Sequence, residues 1–174
     1  MNTMVNGAML QSFAQACVNH KIIMKEKLSQ YAELENPELE WYPVEKYHDL
    51  CYMVSDKYDQ PDPVFRQIGA EIIQIWYHAE GKKLVGDGIE FLEFQTNSNG
   101  YRRMVMGPEE SIGYFKLLDI DKSAGLAVIE STTPFNREVE KGVIRGGLTL
   151  FEEISFSKVY SKAGSPDLIY VEFH

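Results

Sequence analysis

Cysteine and histidine are scarce in this sequence, and basic side chains are outnumbered by acidic ones. The chain has two cysteines, four histidines, 17 basic and 26 acidic residues, which gives a formal net charge of −9. Two cysteines do not make a disulfide scaffold, so a reducing cytoplasm is the expected compartment. The charge disfavours nucleic acid or an anionic membrane surface as the main partner, because binding either depends on surplus lysine and arginine.

Long apolar runs and enzyme motifs are missing as well. No stretch approaches the 18 apolar residues of a membrane-spanning helix, and no basic run precedes the apolar residues of the N-terminus, MNTMVNGAML. We therefore expect no membrane insertion and no secretory signal. There is no G-x-S-x-G, P-loop or H-E-x-x-H motif, so a non-catalytic domain is expected, and an enzyme without these motifs is the alternative.

Aromatic residues are plentiful, with ten tyrosines, nine phenylalanines and two tryptophans among 174 residues. A chain of this length and 44% hydrophobic content suits one domain with a packed core. The predicted domain is 1–174, and a last strand that runs to His174 fits either a natural end or the N-terminal part of a longer protein.

The first half of the chain has helical periodicity. Apolar residues recur at spacings of three and four residues between Met4 and Asn19, which predicts a helix. Lys21–Leu34 is predicted to continue as a second helix or as an extension of the first, until Asn36-Pro37 breaks it. Pro43 is predicted to open the next helix, and Asp62-Pro63 begins the strongest helical signal, which ends at Gly81. Residues 86–97 fit a buried helix, with a strand as the near alternative.

The pattern changes to strands after Asn99-Gly100. The predicted strands are 101–106, 112–118 and 126–132, followed by 154–160 and 168–173. Between them, Arg137–Phe151 predicts a helix in which Gly142 and Gly146 leave a flat face that another segment can approach closely. The prediction is an α+β fold, with N-terminal helices packed on a C-terminal antiparallel sheet that one helix interrupts.

Three stretches, VNGAMLQSFAQACV, WYPVEKYHDLCYMVSDKYDQPDPVFRQIGAEI and TPFNREVEKGVIRGGLTLF, carry a resemblance to a known superfamily. In this order they resemble the haem-nitric-oxide-binding (H-NOX) sensor domains, the 4-vinyl-reductase-type small-molecule-binding domains of bacterial regulators and the related TRAPP vesicle-transport subunits. The resemblance implies a sensory or regulatory domain that binds a small molecule.

The haem motifs of that superfamily are missing. H-NOX domains ligate haem through a histidine on the helix before the sheet, and the corresponding stretch here, GDGIEFLEFQTN, has none. Their Tyr-x-Ser-x-Arg triplet, which binds the haem propionates, is absent too. No cysteine lies beyond Cys51, so the late cysteine cluster of some vinyl-reductase-type domains is also missing. The resemblance therefore implies a haem-free branch, and haem held by a non-standard ligand such as His78 is the alternative.

One pattern suggests a metal. Cys17-x-x-His20 and His48-x-x-Cys51 each place a thiol and an imidazole on one helix face, and two such faces that meet would offer a tetrahedral zinc set. The alternative is that both cysteines are small buried apolar residues and that both histidines lie at helix edges.

The main functional hypothesis is a small, largely apolar ligand held between the helices and the sheet. Six residues near the predicted junction are the candidate ligand contacts, with core packing as the alternative: Trp76, Phe91, Phe94, Met104, Met106 and Tyr114. A second hypothesis is a dimerisation module that uses its acidic helical face or exposed sheet face. A homodimer and a signalling partner protein are the expected assemblies.

Overall fold

The computed structural model describes residues 2–28, 40–97 and 99–174, and it confirms the predicted α+β class. The helices of these residues are α1 (Gly7–Asn19), α2 (Glu45–Lys57), α3 (Asp62–Ala79), α4 (Gly88–Gln95), α5 (Glu109–Ile112) and α6 (Arg137–Leu148). The strands are β1 (Met4–Asn6), β2 (Trp41–Pro43), β3 (Val105–Met106), β4 (Phe115–Asp121), β5 (Leu126–Ser131), β6 (Ser157–Lys162) and β7 (Ser165–Phe173). Single 3-10 turns lie at Lys25–Lys27, Gly81–Lys83 and Tyr101–Arg103.

The main sheet contains four antiparallel strands in the order β4-β5-β7-β6. Its two hairpins correspond to the strands predicted around 126–132 and at the end of the chain, and α6 connects them as expected. The side chain of Asp121 organises the β4–β5 turn by accepting hydrogen bonds from the backbone amides of Ser123 and Ala124. Gly125 completes this turn with φ +65°, a conformation that side chains disfavour.

A small second sheet, in the order β2-β1-β3, was not predicted. The helix predicted from Met4 begins instead at Gly7, because Asn6 caps it by accepting hydrogen bonds from the amides of Ala8 and Met9. The helix predicted to open at Pro43 is present as α2, but it begins at Glu45, and Pro43 ends β2. The apolar spacing of three and four residues, which predicted a helix from Met4, continues into β1. Val5 is buried in the strand, as it would be in the predicted helix.

The strand predicted over 101–106 is wrong. Residues 101–103 form a 3-10 turn, and only Val105–Met106 is extended, paired with β1 rather than with the main sheet. Arg102 and Arg103 lie in this turn. They form long ion pairs with Glu109 at 3.8 Å and Glu80 at 3.9 Å. The next predicted strand starts later as well, because Pro108 is followed by the short helix α5.

Of the two alternatives for Lys21–Leu34, the extension of the first helix is wrong. Lys21 has φ +57° and ends the helical path, and the chain then passes through the turn at Lys25–Lys27. Residues 29–34 of this prediction, and Asn36-Pro37, lie outside the described residues. By contrast, the helix predicted over 86–97 is present as α4.

The tightest helix contact joins α3 to α6, and glycines make it possible. A Cβ on Gly146 would lie 2.6 Å from the Cβ of Ala70, and one on Gly69 would lie 2.9 Å from the backbone nitrogen of Val143. The flat glycine face predicted on α6 is therefore present, and α3 is the segment that approaches it. Among the described residues, no helix is long and apolar enough to cross a membrane.

Candidate functional site

A cavity of about 100 Å³ lies where α3 and α6 meet β4 and the turn before β3. Its walls are mostly apolar, with few polar groups, which is the composition of small-molecule sites. The residues that line it are Met9, Tyr47, Ile72, Ile73, Trp76, Gln95, Tyr101, Met104, Phe115, Phe135, Val139, Glu140 and Val143.

Trp76 forms the α3 wall, and three neighbours fix its indole ring. The indole Nε1 donates a hydrogen bond to Glu80 Oε1 at 2.8 Å, and the ring packs against Phe94 with centroids 5.4 Å apart. A Cβ on Gly81 would lie 2.7 Å from the indole, so only glycine leaves room for it there. The ring orientation is therefore set in advance of any ligand.

Tyrosine and phenylalanine rings form the opposite side of the cavity. The ring of Phe135 lies 5.0 Å from that of Tyr47 and 6.1 Å from that of Tyr101, both edge to face. The Tyr47 hydroxyl accepts a hydrogen bond from the amide of Asn136 at 2.9 Å, and the Tyr101 hydroxyl donates to the carbonyl of Ile112. Burial raises the pKa of both tyrosines, so both phenols are neutral at physiological pH.

Glu140 brings a buried carboxyl group to the cavity. Its oxygens accept hydrogen bonds from Ser131 Oγ at 2.9 Å and Thr133 Oγ1 at 2.5 Å, and they form an ion pair with Arg137. Burial raises the pKa of Glu140, while Arg137 and the two hydroxyls oppose that rise. Asn136 caps α6, which places Glu140 one turn into the helix and facing β5.

The six predicted ligand contacts do not form one group. Trp76 and Met104 line the cavity, and Phe94 supports Trp76 from behind. The structure places the other three elsewhere: Phe91 is fully buried against Gly147 and Phe151, Met106 pairs with β1, and Tyr114 is 43% exposed.

The polar groups of the cavity were not predicted from the sequence. Glu140 lies in the charged run Arg137–Lys141, which is typical of an exposed helix face. The one feature of the sequence that pointed to its partners was the position of two hydroxyl residues, Ser131 and Thr133. They lie at or just after the end of β5, shortly before the residue that caps the helix of Glu140. Nothing in the sequence assigned a partner to the hydroxyl of Tyr47.

The two cysteines of the predicted zinc set lie near each other, but the two histidines have other partners. Electrostatic interaction with Cys51 contributes to the raised pKa of Cys17. His20 Nε2 lies 2.7 Å from Glu71 Oε1, and His48 Nε2 lies 3.2 Å from the carbonyl of Pro134. Within 2–28, 40–97 and 99–174, no group of three or more His, Cys, Asp or Glu residues is arranged to hold a metal ion. The zinc set stays a prediction.

The residues around the cavity do not fit a haem. A space of about 100 Å³ is far too small for a tetrapyrrole, and the axial-ligand types that line it are tyrosines held neutral and two methionines, Met9 and Met104. His78, the predicted alternative ligand, is exposed at the end of α3 with its ring 5.9 Å from that of Tyr77, outside the cavity lining.

The described residues have the fold of the H-NOX proteins among the solved structures. An H-NOX protein from S. oneidensis in the Fe(II)NO ligation state superposes with a TM-score of 0.68 and 11% identity, over 100% of this chain and 99% of the other. An oxygen-binding H-NOX domain related to soluble guanylate cyclases gives 0.66 and 13%, over 97% and 94%. A point mutant of the H-NOX protein from T. tengcongensis gives 0.66 and 13%, over 97% of each chain.

Comparison of the sequence with protein-family models found no match, and comparison with curated proteins found none that is significant. Because the identities to the solved structures are low, the similarity concerns the fold.

Proposed function

We propose that this protein is a non-catalytic sensory domain that binds a small, largely apolar molecule, without haem, in the cavity between α3, α6 and β4. The observation that carries the proposal is the cavity itself, with its fixed indole wall, its aromatic floor and one buried carboxyl group. The fold supports it, since the S. oneidensis and oxygen-binding H-NOX structures hold nitric oxide and oxygen, respectively.

The size of the cavity limits the ligand. Sites for drug-sized molecules measure roughly 300–1,000 Å³, whereas an apolar cavity of about 150 Å³ holds benzene or xenon. A cavity of about 100 Å³ is smaller than both, so it limits the ligand to at most a single small ring or a shorter aliphatic molecule. Glu140 and Gln95 offer such a ligand one polar edge, so a ring with a hydrogen-bond donor suits the site better than a pure hydrocarbon.

The position of the cavity suggests how binding is transmitted. A ligand there contacts Trp76 on α3 and Val143 on α6, two helices that pack closely through glycines. Because helices packed through glycines have little freedom to adjust, a ligand that changes their spacing also changes the surface they share. A signalling partner that contacts this surface would detect the ligand.

The test is a thermal-denaturation screen with benzene, phenol, aniline and indole on the wild type and on Val143→Phe. The added ring of the variant occupies the cavity, so we expect a rise in Tm with phenol or aniline for the wild type and none for Val143→Phe. Val128→Phe is the matched control, because Val128 lies on β5 outside the cavity lining and its variant keeps the response. An equal response from both variants, or none from the wild type, contradicts the proposal.

The haem alternative has its own measurement. The purified protein, mixed with one equivalent of haemin and passed through a desalting column, is expected to leave without a Soret band. A retained band that shifts on reduction and exposure to carbon monoxide would overturn the haem-free part of the proposal.

The dimer stays a prediction as well. Sedimentation equilibrium of the purified chain measures it directly, and it does not depend on whether the cavity holds a ligand.

A further inference from the structure

A second and larger concavity lies on another side of the same helix pair, between α3, α6 and the edge strand β6. Its volume is about 670 Å³, and it shares no lining residue with the cavity. Its walls are Pro63, Arg66, Gln67, Ala70, Gln74, Lys141, Gly142, Arg145, Gly146, Thr149 and the segment from Phe156 to Tyr160. We call it the α3–α6–β6 groove.

The groove collects positive charge in a chain whose net charge is −9. Arg66 and Lys141 share one carboxylate, that of Glu138, at 2.5 and 2.6 Å. Lys158 lies 3.9 Å from Glu172. Arg145 is the fourth basic side chain of the groove. The four positive charges face the two carboxylates of Glu138 and Glu172, which leaves a surplus of two positive charges.

Among the four cations of the groove, Arg145 is the one that has no partner in the described part of the chain. Its side chain is exposed, and across the described part of the chain it has no hydrogen bond, ion pair or ring contact. It lies one helical turn after Lys141, so both side chains project from α6 on the same side. Guanidinium groups bind phosphate with paired hydrogen bonds, and an ammonium group adds a point charge.

The groove also has the shape and the apolar surface to hold a ring. Ala70 and Val159 contribute apolar surface to its walls, and Phe156, which is 49% exposed, leads into β6. A volume of about 670 Å³ lies within the roughly 300–1,000 Å³ of sites for small organic ligands.

We propose that the α3–α6–β6 groove binds a small organic phosphate that carries a planar ring, of the nucleotide class. The surplus of two charges matches a phosphate dianion, and the apolar surface beside it matches the ring. The site is separate from the cavity, so this inference does not depend on the proposed sensory function.

The experiment is isothermal titration calorimetry of the full chain with ATP, inorganic phosphate and adenosine, without divalent cations. We expect ATP to bind best and phosphate weakly. A hydrogen bond to a charged group contributes about 1.5–3 kcal/mol, so Arg145→Gln is expected to weaken ATP binding by about tenfold or more. Binding is also expected to weaken when salt rises from about 50 to about 200 mM.

Lys122→Gln is the matched control. Lys122 is 62% exposed in the β4–β5 turn, outside the groove lining, and its variant should bind ATP as the wild type does. Arg66→Gln is a second groove variant with the same expected direction, because its guanidinium is 46% exposed. Thermal denaturation shows that each variant is folded.

Four results would overturn the inference: no heat with ATP, equal affinity for ATP and adenosine, wild-type affinity in Arg145→Gln, or an equal loss in Lys122→Gln. Binding of a polyglutamate peptide in place of ATP would also overturn it, and it would assign the groove to an acidic protein partner.

Discussion

The substitution Gly146→Ala adds one methyl group and tests how closely α3 and α6 pack between the two candidate sites. The cavity and the groove both lie between α3 and α6, and those helices approach closely at Gly146 and Ala70. A Cβ placed on Gly146 lies 2.6 Å from the Cα and the Cβ of Ala70, whereas ordinary van der Waals contact begins at 3.4 Å. Gly146→Ala must therefore move one helix by a large part of that difference.

The magnitude follows from two opposing effects. Overpacking a close contact costs about 1–3 kcal/mol, and replacing a helical glycine by alanine returns about 1 kcal/mol. Because the added Cβ meets the backbone of Ala70, which cannot swing aside, the cost lies in the upper part of that range, about 2–3 kcal/mol, and we expect Gly146→Ala to lower the free energy of unfolding by about 1–2 kcal/mol. For a chain of this length, that corresponds to a fall in Tm of about 2–8 °C.

Urea denaturation followed by circular dichroism measures this change. Gly86→Ala is the matched control, because a Cβ there meets only the flexible end of Glu90, at 3.3 Å, and the backbone φ is not in the left-handed region. A Gly146→Ala variant as stable as the wild type, or more stable through its helix propensity, would refute the idea that glycines interlock α3 with α6.

Two further predictions concern buried titratable groups. Because burial raises the pKa of Glu140 above 4.5, the folded protein holds this proton more tightly, and the stability it contributes is lost as pH rises through the raised pKa. The variant Glu140→Gln cannot titrate at this position. In urea titrations from pH 4.5 to about 8, the free energy of unfolding of the wild type relative to this variant should therefore fall as pH rises. A rise would show that the ion pair with Arg137 outweighs the burial of the carboxyl group. Burial raises the pKa of Cys17 and Cys51 to about 12, so at a pH of about 8 both thiols should react slowly with a disulfide reagent until urea unfolds the protein. Rapid reaction of one equivalent in the folded state would contradict this.

Local patterns in the sequence were enough for the helices and for the main sheet. The stripe of Phe65, Ile68 and Trp76 predicted α3, because a helix buries residues that recur at three and four. The strands 126–132 and 168–173 were found from their runs of β-branched residues bounded by turns, and they pair in the structure. The spacing of Gly142 and Gly146 indicated that another segment packs closely there, although it did not say which.

The errors occurred where local pattern and long-range pairing disagree. Residues 101–106 have the composition of a strand, but most of that segment is a 3-10 turn, because Tyr101 turns inward to reach the carbonyl of Ile112. Met4–Asn6 continues an apolar helical stripe, yet it pairs with β2 and β3, which come from distant parts of the chain. Nothing within a short window of sequence reports such partners.

The sequence by itself determined most of the helical and extended segments and that their apolar sides must meet, since periodicity is a property of neighbouring residues. Only the tertiary structure decided that Glu140 is buried beside an aromatic floor and that Arg145 faces a groove with no partner among the described residues. Both residues belong to one charged helix, and their spacing in sequence is that of any solvated face. Their different surroundings come from segments outside that helix, Ser131 and Thr133 for one and the edge of β6 for the other.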